Sequence, residues 1–364
     1  MKVVIRADAG RVVGSGHLMR CLALADELKN NYAKVTFVCR NIQGNMTDFI
    51  VKRGYSCEII PNQEKYFASD HEFYAWMLTN AAYEVEQMTK VLSGIGTPNW
   101  LIIDHYGIDY YFEKAMQSLV KNVMVIDDLA NRRHECDLLL DQNYYPDRVN
   151  RYDNLVPATC IKLLGPEFTI LKPEFAQLRK KSSKAEKIVK NIIISFGGSD
   201  NEAMTLKTLA AILNNKIKDI TFEVVIGQIN PYREAIEKIC KQHINLKFHY
   251  QISNMAELMS KADLFIGSGG TTNWERLCLG LPAIIISTAE NQVEVCQNLA
   301  DKELIHYLGT VSEFSDEKFN EAFTNCIKNY KWRNFVHVHG QQLVDGKGTS
   351  RVSGFLFDRA KNEH

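Results

Sequence analysis

The chain has 364 residues, 46% hydrophobic and 24% charged, which suits two soluble domains rather than one. Lys+Arg and Asp+Glu both number 43, so no basic surplus exists for nucleic acid or an anionic membrane. "MKVVIRAD" has no signal-peptide core, no apolar run approaches the roughly 18 residues of a membrane span, and nine singly scattered cysteines read as reduced, buried thiols of a cytoplasmic protein.

In chain order, apolar runs predict strands at Val3–Arg6, Val35–Cys39, Leu101–Asp104, Val123–Ile126 and Leu138–Leu140. A helix follows the first of them, with Leu18, Cys21, Leu22, Ala25 and Leu28 on one face. Tyr144–Lys190 then reads as polar and turn-rich, including the charged stretch "LRKKSSKAEK". Beyond it come strands at Ile192–Phe196, Phe222–Ile226, Leu246–His249, Leu264–Ile266 and Ala283–Ser287, with a helix at Met255–Lys261 after a Ser-Asn cap signal. The strand runs are continuously apolar, which favours parallel strands covered on both faces. The expectation is an α/β protein of two Rossmann-like, doubly wound parallel-sheet domains facing a cleft. The first spans 1–150 and the second 165–345, with the junction near Tyr145–Gly165. A tail at 346–364 returns to the first domain.

Four glycine or polar loops end predicted strands. The first, "GSGHLMR" (Gly14, Ser15, Gly16, His17, Arg20), lacks the third glycine of a dinucleotide fingerprint, since Met19 stands there. It presents His17 in the first helical turn, where the helix N-terminus disfavours the imidazolium form and leaves a neutral general base. The plainer alternative is a histidine that caps or packs. "FGGSDN" (Gly197, Gly198, Ser199, Asp200, Asn201) is a weaker strand-to-helix turn on the second sheet, with Asn201 able to assist capping. "GSGGTTNWERLCLGLP" offers Gly267–Gly270 backbone N–H groups and the Thr271 and Thr272 hydroxyls to a phosphate. In the same string Glu275 can accept from a ribose diol, and Trp274 reads as core. "STAENQ" places Asn291 and Gln292 where amides can hold sugar hydroxyls or acetamido groups, although an Asn-Gln loop is usually a turn or cap.

In the first half, Asp104, Tyr106, Asp127 and Asp128 end strands on the same edge. Any of them can orient His17 or bind sugar; the plainer alternative makes one or two of them only helix caps or solvent-facing groups. The "RRHECD" cluster, with His134 and Cys136, lacks the partners of a zinc site. H-E-x-x-H and G-x-S-x-G are absent, which argues against metal-assisted and serine hydrolysis.

"RADAGRVVGSGHLMRCLALADEL", "SFGGSDN", "GSGGTTNWERLCLGLP", "AENQ" and "LVDGKGTSRV" occur in this order. Together they resemble the UDP-2,4-diacetamido-2,4,6-trideoxy-β-L-altropyranose hydrolase family of pseudaminic acid biosynthesis, from Arg6 to Val352; related spore-coat polysaccharide proteins share the pattern. The GSGHxxR element is its most specific part, whereas the GSGG…E part is shared with GT-B glycosyltransferases. The resemblance implies a GT-B fold, His17 as catalytic base, Asn291 as a substrate contact, and nucleotide contacts at Gly269, Gly270 and Glu275. It implies hydrolysis of a UDP-sugar, a small-molecule substrate; water attacking the anomeric carbon opposite UDP would invert it, no metal or other cofactor is required, and the neutral charge balance leaves no membrane or nucleic-acid partner. Alternatives are a GT-B glycosyltransferase with a hydroxyl acceptor, and a non-catalytic nucleotide-sugar-binding protein. The insert around Gln63–Leu92 departs from the family, whose sequences can be shorter.

Overall fold

A computed structural model describes residues 1–64, 66–179, 185–215 and 219–361 of the chain. Thus 180–184, within the charged stretch, lie outside the described residues, as do Lys65 of the insert and 362–364 of the tail. Contacts divide the chain into a first unit of Met1–Asn143, Asp147–Leu171 and Gly348 onward, and a second of Tyr144–Pro146 and Lys172–Lys347.

The first unit holds a seven-stranded sheet. Its strands are β1 (Lys2–Ala7), β2 (Lys34–Arg40), β3 (Ser56–Ile60), β4 (Trp100–Asp104), β5 (Asn122–Ile126), β6 (Leu138–Asp141) and β7 (Ile161–Leu164), in the order β3-β2-β1-β4-β5-β6-β7. Every pairing is parallel. Winding reverses between β1 and β4, so a crevice opens at their carboxyl ends. The second unit repeats this plan with β8 (Asn191–Ser195), β9 (Thr221–Ile226), β10 (Leu246–Tyr250), β11 (Leu264–Ser268), β12 (Ala283–Ser287) and β13 (His306–Thr310). Their order is β10-β9-β8-β11-β12-β13, again all parallel, and the reversal falls between β8 and β11.

The central strands have both faces buried, as their continuous apolar runs demand: all five residues of β4, β5, β11 and β12 are buried. The helix Gly16–Asn30 lays Leu18, Cys21, Leu22, Ala25 and Leu28 onto the first sheet. The helix Met255–Ser260 starts after Asn254, which makes no side-chain cap bond. The insert forms the helices Asp70–Thr79 and Ala81–Ile95, whose Phe73, Met77, Met88 and Leu92 join the core of the first unit.

The first unit runs past residue 150 to Leu171, because β7 adds an edge strand beside β6. The helix Gly348–Lys361 belongs to this unit too. Val352 and Leu356 enter its core, and Trp100 Nε1 donates to Leu356 O at 2.9 Å. Thr349 Oγ1 accepts from Leu171 N at 2.8 Å and donates to Leu171 O at 2.6 Å. A Cβ on Gly348 would stand 2.2 Å from Thr169 O, so only glycine permits this approach.

Candidate functional site

In the first unit, the loop after β1 closes on itself: Gly10 and Gly14 exchange backbone hydrogen bonds at 3.0 and 2.9 Å, and Gly14 sits at φ +71°. The turn delivers His17 to the second position of the helix. Across the switch point, β1 and β4 are in register at Ala7 and Asp104, so the last residue of β4 lies under that helix. His17 Nδ1 stands 2.5 Å from Asp104 Oδ1. One helical turn on, Arg20 grips the same carboxylate in a fork, Nε to Oδ2 and Nη2 to Oδ1, each at 2.6 Å. Arg20 Nη1 reaches Asp128 Oδ2 at 3.3 Å. Tyr106 donates its hydroxyl to Asp128 Oδ1 at 2.5 Å and sets its ring edge-on to His17, centroids 4.6 Å apart.

Burial opposes ionisation of Asp104, but the Arg20 guanidinium, with His17 beside it, holds its carboxyl well below the usual carboxylate range. An ionised carboxylate only accepts, so the proton in the His17–Asp104 bond resides on Nδ1. In the neutral imidazole the lone pair is then on Nε2, which makes no hydrogen bond among the described residues. This is an imidazole oriented by a carboxylate, with its basic nitrogen available. Of the four candidates beside His17, Asp104 touches the imidazole nitrogen and Tyr106 its ring. Asp128 acts through Arg20 and Tyr106. Asp127 turns elsewhere, to Arg132 Nη1 at 2.7 Å and the Tyr152 hydroxyl at 3.1 Å. The "RRHECD" residues also find ordinary partners: His134 Nδ1 pairs with Glu113 Oε1 at 2.7 Å, and Cys136 Sγ lies 3.6 Å from Cys160 Sγ.

In the second unit, both glycine loops leave the strands that flank its switch point. Gly197 adopts φ +84°, and Gly227 packs so closely that a Cβ there would stand 2.5 Å from Gly198 Cα. Ser199 completes this turn. Asp200 rather than Asn201 does the capping. Its oxygens accept from Met204 N at 2.8 Å and Thr205 N at 3.0 Å, ahead of the helix Met204–Asn214. In the second loop a Cβ on Gly267 would meet Ser195 O at 2.0 Å, and one on Gly269 would meet Cys296 Sγ at 2.2 Å. Gly270 follows, and Thr271 precedes the helix Thr272–Leu279.

Gln292 ties two loops together, since its Oε1 accepts from Gly269 N at 3.2 Å and from Thr288 N at 3.0 Å. Asn291 is exposed in the turn Glu290–Gln292. Glu275 is half-buried in the first turn of its helix. Burial, with Glu174 adding and Lys172 opposing, pushes its carboxyl up to about 7. Trp274 is buried in the core.

Two residues that the loop motifs do not single out stiffen the GSGG turn. Asn273 Nδ2 donates to Gly269 O at 3.0 Å, and its Oδ1 accepts from Arg276 Nε and Nη2 at 3.0 and 2.9 Å. The only sequence signal is their i, i+3 spacing at the start of a helix.

Two parallel α/β units of this topology define the GT-B fold. MurG of Acinetobacter baumannii shares it, with a TM-score of 0.64 over 98% of this chain and 99% of that one, at 18% identity. Residues 179–343 match the glycosyltransferase family 28 C-terminal domain. Within that class the chain is a homologue of two proteins in particular. It is 26% identical to the spore coat polysaccharide biosynthesis protein SpsG of Bacillus subtilis over the full length of both. It is 27% identical to the UDP-2,4-diacetamido-2,4,6-trideoxy-β-L-altropyranose hydrolase of Campylobacter jejuni, over 83% of this chain and 97% of that protein. Among the described residues no helix is long and apolar enough to cross a membrane.

Proposed function

We propose that the protein is a nucleotide-sugar-processing enzyme, specifically a cytoplasmic hydrolase of UDP-2,4-diacetamido-2,4,6-trideoxy-β-L-altropyranose. The observation that carries this reading is the His17–Asp104–Arg20 arrangement. It supplies a base with a fixed tautomer at a sheet's switch point, and the likeness to the Campylobacter jejuni hydrolase names the substrate class. In the reaction, His17 Nε2 takes a proton from water as the water oxygen bonds to the anomeric carbon. The bond from that carbon to the diphosphate oxygen breaks, and its electron pair leaves with UDP. Attack opposite the leaving group inverts the anomeric centre. Asp104 steadies the imidazolium that forms. UDP is a good leaving group, so the paired carboxyls of a glycosidase are unnecessary. In the second unit, the Gly197–Ser199 and Gly269–Thr271 turns hold the diphosphate, Glu275 accepts from the ribose hydroxyls and Asn291 contacts the sugar.

Proton NMR of the purified protein with this UDP-sugar tests the proposal. UDP and the free sugar of inverted anomeric configuration should appear together. His17→Asn should lower the rate by about 10²–10⁴-fold while still binding UDP; near-native turnover by that variant would refute the assignment. The family 28 domain favours a second reading, sugar transfer to a hydroxyl acceptor. Under that reading UDP is released only when an acceptor is added.

A further inference from the structure

The insert brings an aromatic side chain up to the base. The helix Asp70–Thr79 is capped by Ser69, whose Oγ accepts from Glu72 N at 3.2 Å, and is anchored by Phe73 and Met77 in the core. It lies directly on the loop after β4. A Cβ on Gly107 would stand 2.7 Å from Met77 Cβ and 3.2 Å from Tyr74 Cα, so the absence of a side chain there lets the helix seat. Tyr74 thereby packs edge-on to both His105 and Tyr106, each with centroids 5.5 Å apart. Tyr106 in turn meets His17, so three rings run from the insert to the base.

The neighbouring phenols are committed: Tyr106 donates to Asp128 and Tyr152 to Asp127. The Tyr74 hydroxyl makes no hydrogen bond to any described residue. Burial, then the charges of Asp70, Asp8, Asp104 and Asp128, raise its pKa, so it stays a protonated donor at neutral pH. Solvent reaches this hydroxyl, so an acceptor on a ligand can take the solvent's place there. Asp8, Asp104 and Asp128 outnumber the Arg6 and Arg20 guanidiniums that pair with them, so a neutral acceptor suits the place better than a phosphate. The carboxylates also compete as acceptors for any hydroxyl that could donate. A neutral group that only accepts, with a flat face for the rings, fits best: an amide carbonyl.

We propose that Tyr74 is a specificity-determining residue, whose phenolic O–H donates to an acetamido carbonyl of the sugar bound beside His17. This rests on the hydrolytic reading above. The test compares the native protein, Tyr74→Phe and His17→Asn. The substrates are the diacetamido UDP-sugar and two analogues in which one acetamido group or the other is replaced by hydroxyl. Tyr74→Phe keeps all three rings, and its fold is checked by circular dichroism. With the diacetamido substrate its kcat/KM should fall about tenfold, mostly through KM. With one of the two analogues the gap between native protein and variant should close. Equal kcat/KM for the two proteins on all three substrates overturns the inference. So does an equal gap on all three, which would mark a purely structural role. If native protein and His17→Asn process the diacetamido substrate alike, the hydrolytic reading fails and takes this one with it. An active native protein, an inactive His17→Asn and an unaltered Tyr74→Phe sink the Tyr74 role alone.

Discussion

At the scale of single residues, the histidine was legible and its environment was not. A glycine turn opening a helix marked His17 as a candidate, and the helix Gly16–Asn30 carries it at its second position. Asp104 was one of four candidates, since nothing local says which strand end lies beneath a given helix. Arg20 showed its charge but not its partner, 84 residues away. The structure makes Asp104 a tautomer-setting residue, so Asp104→Asn is informative. The asparagine amide can donate to His17 Nδ1 and leave the proton on Nε2, which blocks the base. By analogy with serine-protease triads, kcat should fall about 10⁴-fold, with UDP affinity retained in calorimetry.

Glu275 gives a pH-dependent prediction. Its carboxyl titrates at about 7; protonated, it loses one acceptor and gains a donor. UDP affinity measured from pH 6 to 8 should therefore rise with pH in the native protein, and the slope should flatten in Glu275→Gln. A native slope no steeper than that of the variant would remove Glu275 from ribose binding. His134 also shifts upward, which in a base favours the charged form. Burial works against its charge, but Asp127 and Glu113 prevail and raise it from 6.5 to about 9. Its contribution to stability is complete below pH 6.5 and is lost as pH rises through about 9. The unfolding temperature should decline over that interval, and His134→Gln should decline less.

At the scale of elements, ten strands were readable and three were not. The unread ones, β3, β7 and β13, are all edge strands. An edge strand needs only one neighbour and one well-covered face, so its sequence is mixed: "SCEII" carries Glu58, "IKLL" carries Lys162 and "HYLGT" includes Gly309. Central parallel strands must be apolar on both faces, which is the pattern that stands out. The glycines of the loops were legible as turns, but their main constraint is steric. Gly267 faces the Ser195 carbonyl of the adjacent strand, and a backbone oxygen cannot rotate aside. Gly267→Ala should cost about 1–3 kcal/mol in chemical denaturation of the second unit, and UDP binding should weaken with it. Full stability in that variant would mean β8 and β11 separate more easily than their register suggests.

At the scale of the molecule, the division into two α/β units followed from the repeated strand–helix alternation. The position of the division did not, because β7 lies in a polar stretch and pairs with a strand some twenty residues earlier. The first unit is discontinuous: its last helix arrives after the whole second unit has been threaded. Ending the chain after Lys347 would strip Val352 and Leu356 from its core and leave Trp100 Nε1 without an acceptor. Limited proteolysis of such a truncation should digest the first unit and spare a fragment spanning 172–347; equal resistance of both would show that the helix is dispensable.

That threading has a bearing on biosynthesis. On the ribosome, residues 172–347 emerge as an uninterrupted stretch able to fold as they appear, while the earlier-made half waits, its sheet uncovered, for a helix not yet translated. A nascent chain stalled short of that helix would carry its imidazole on a first unit whose core still lacks Val352 and Leu356.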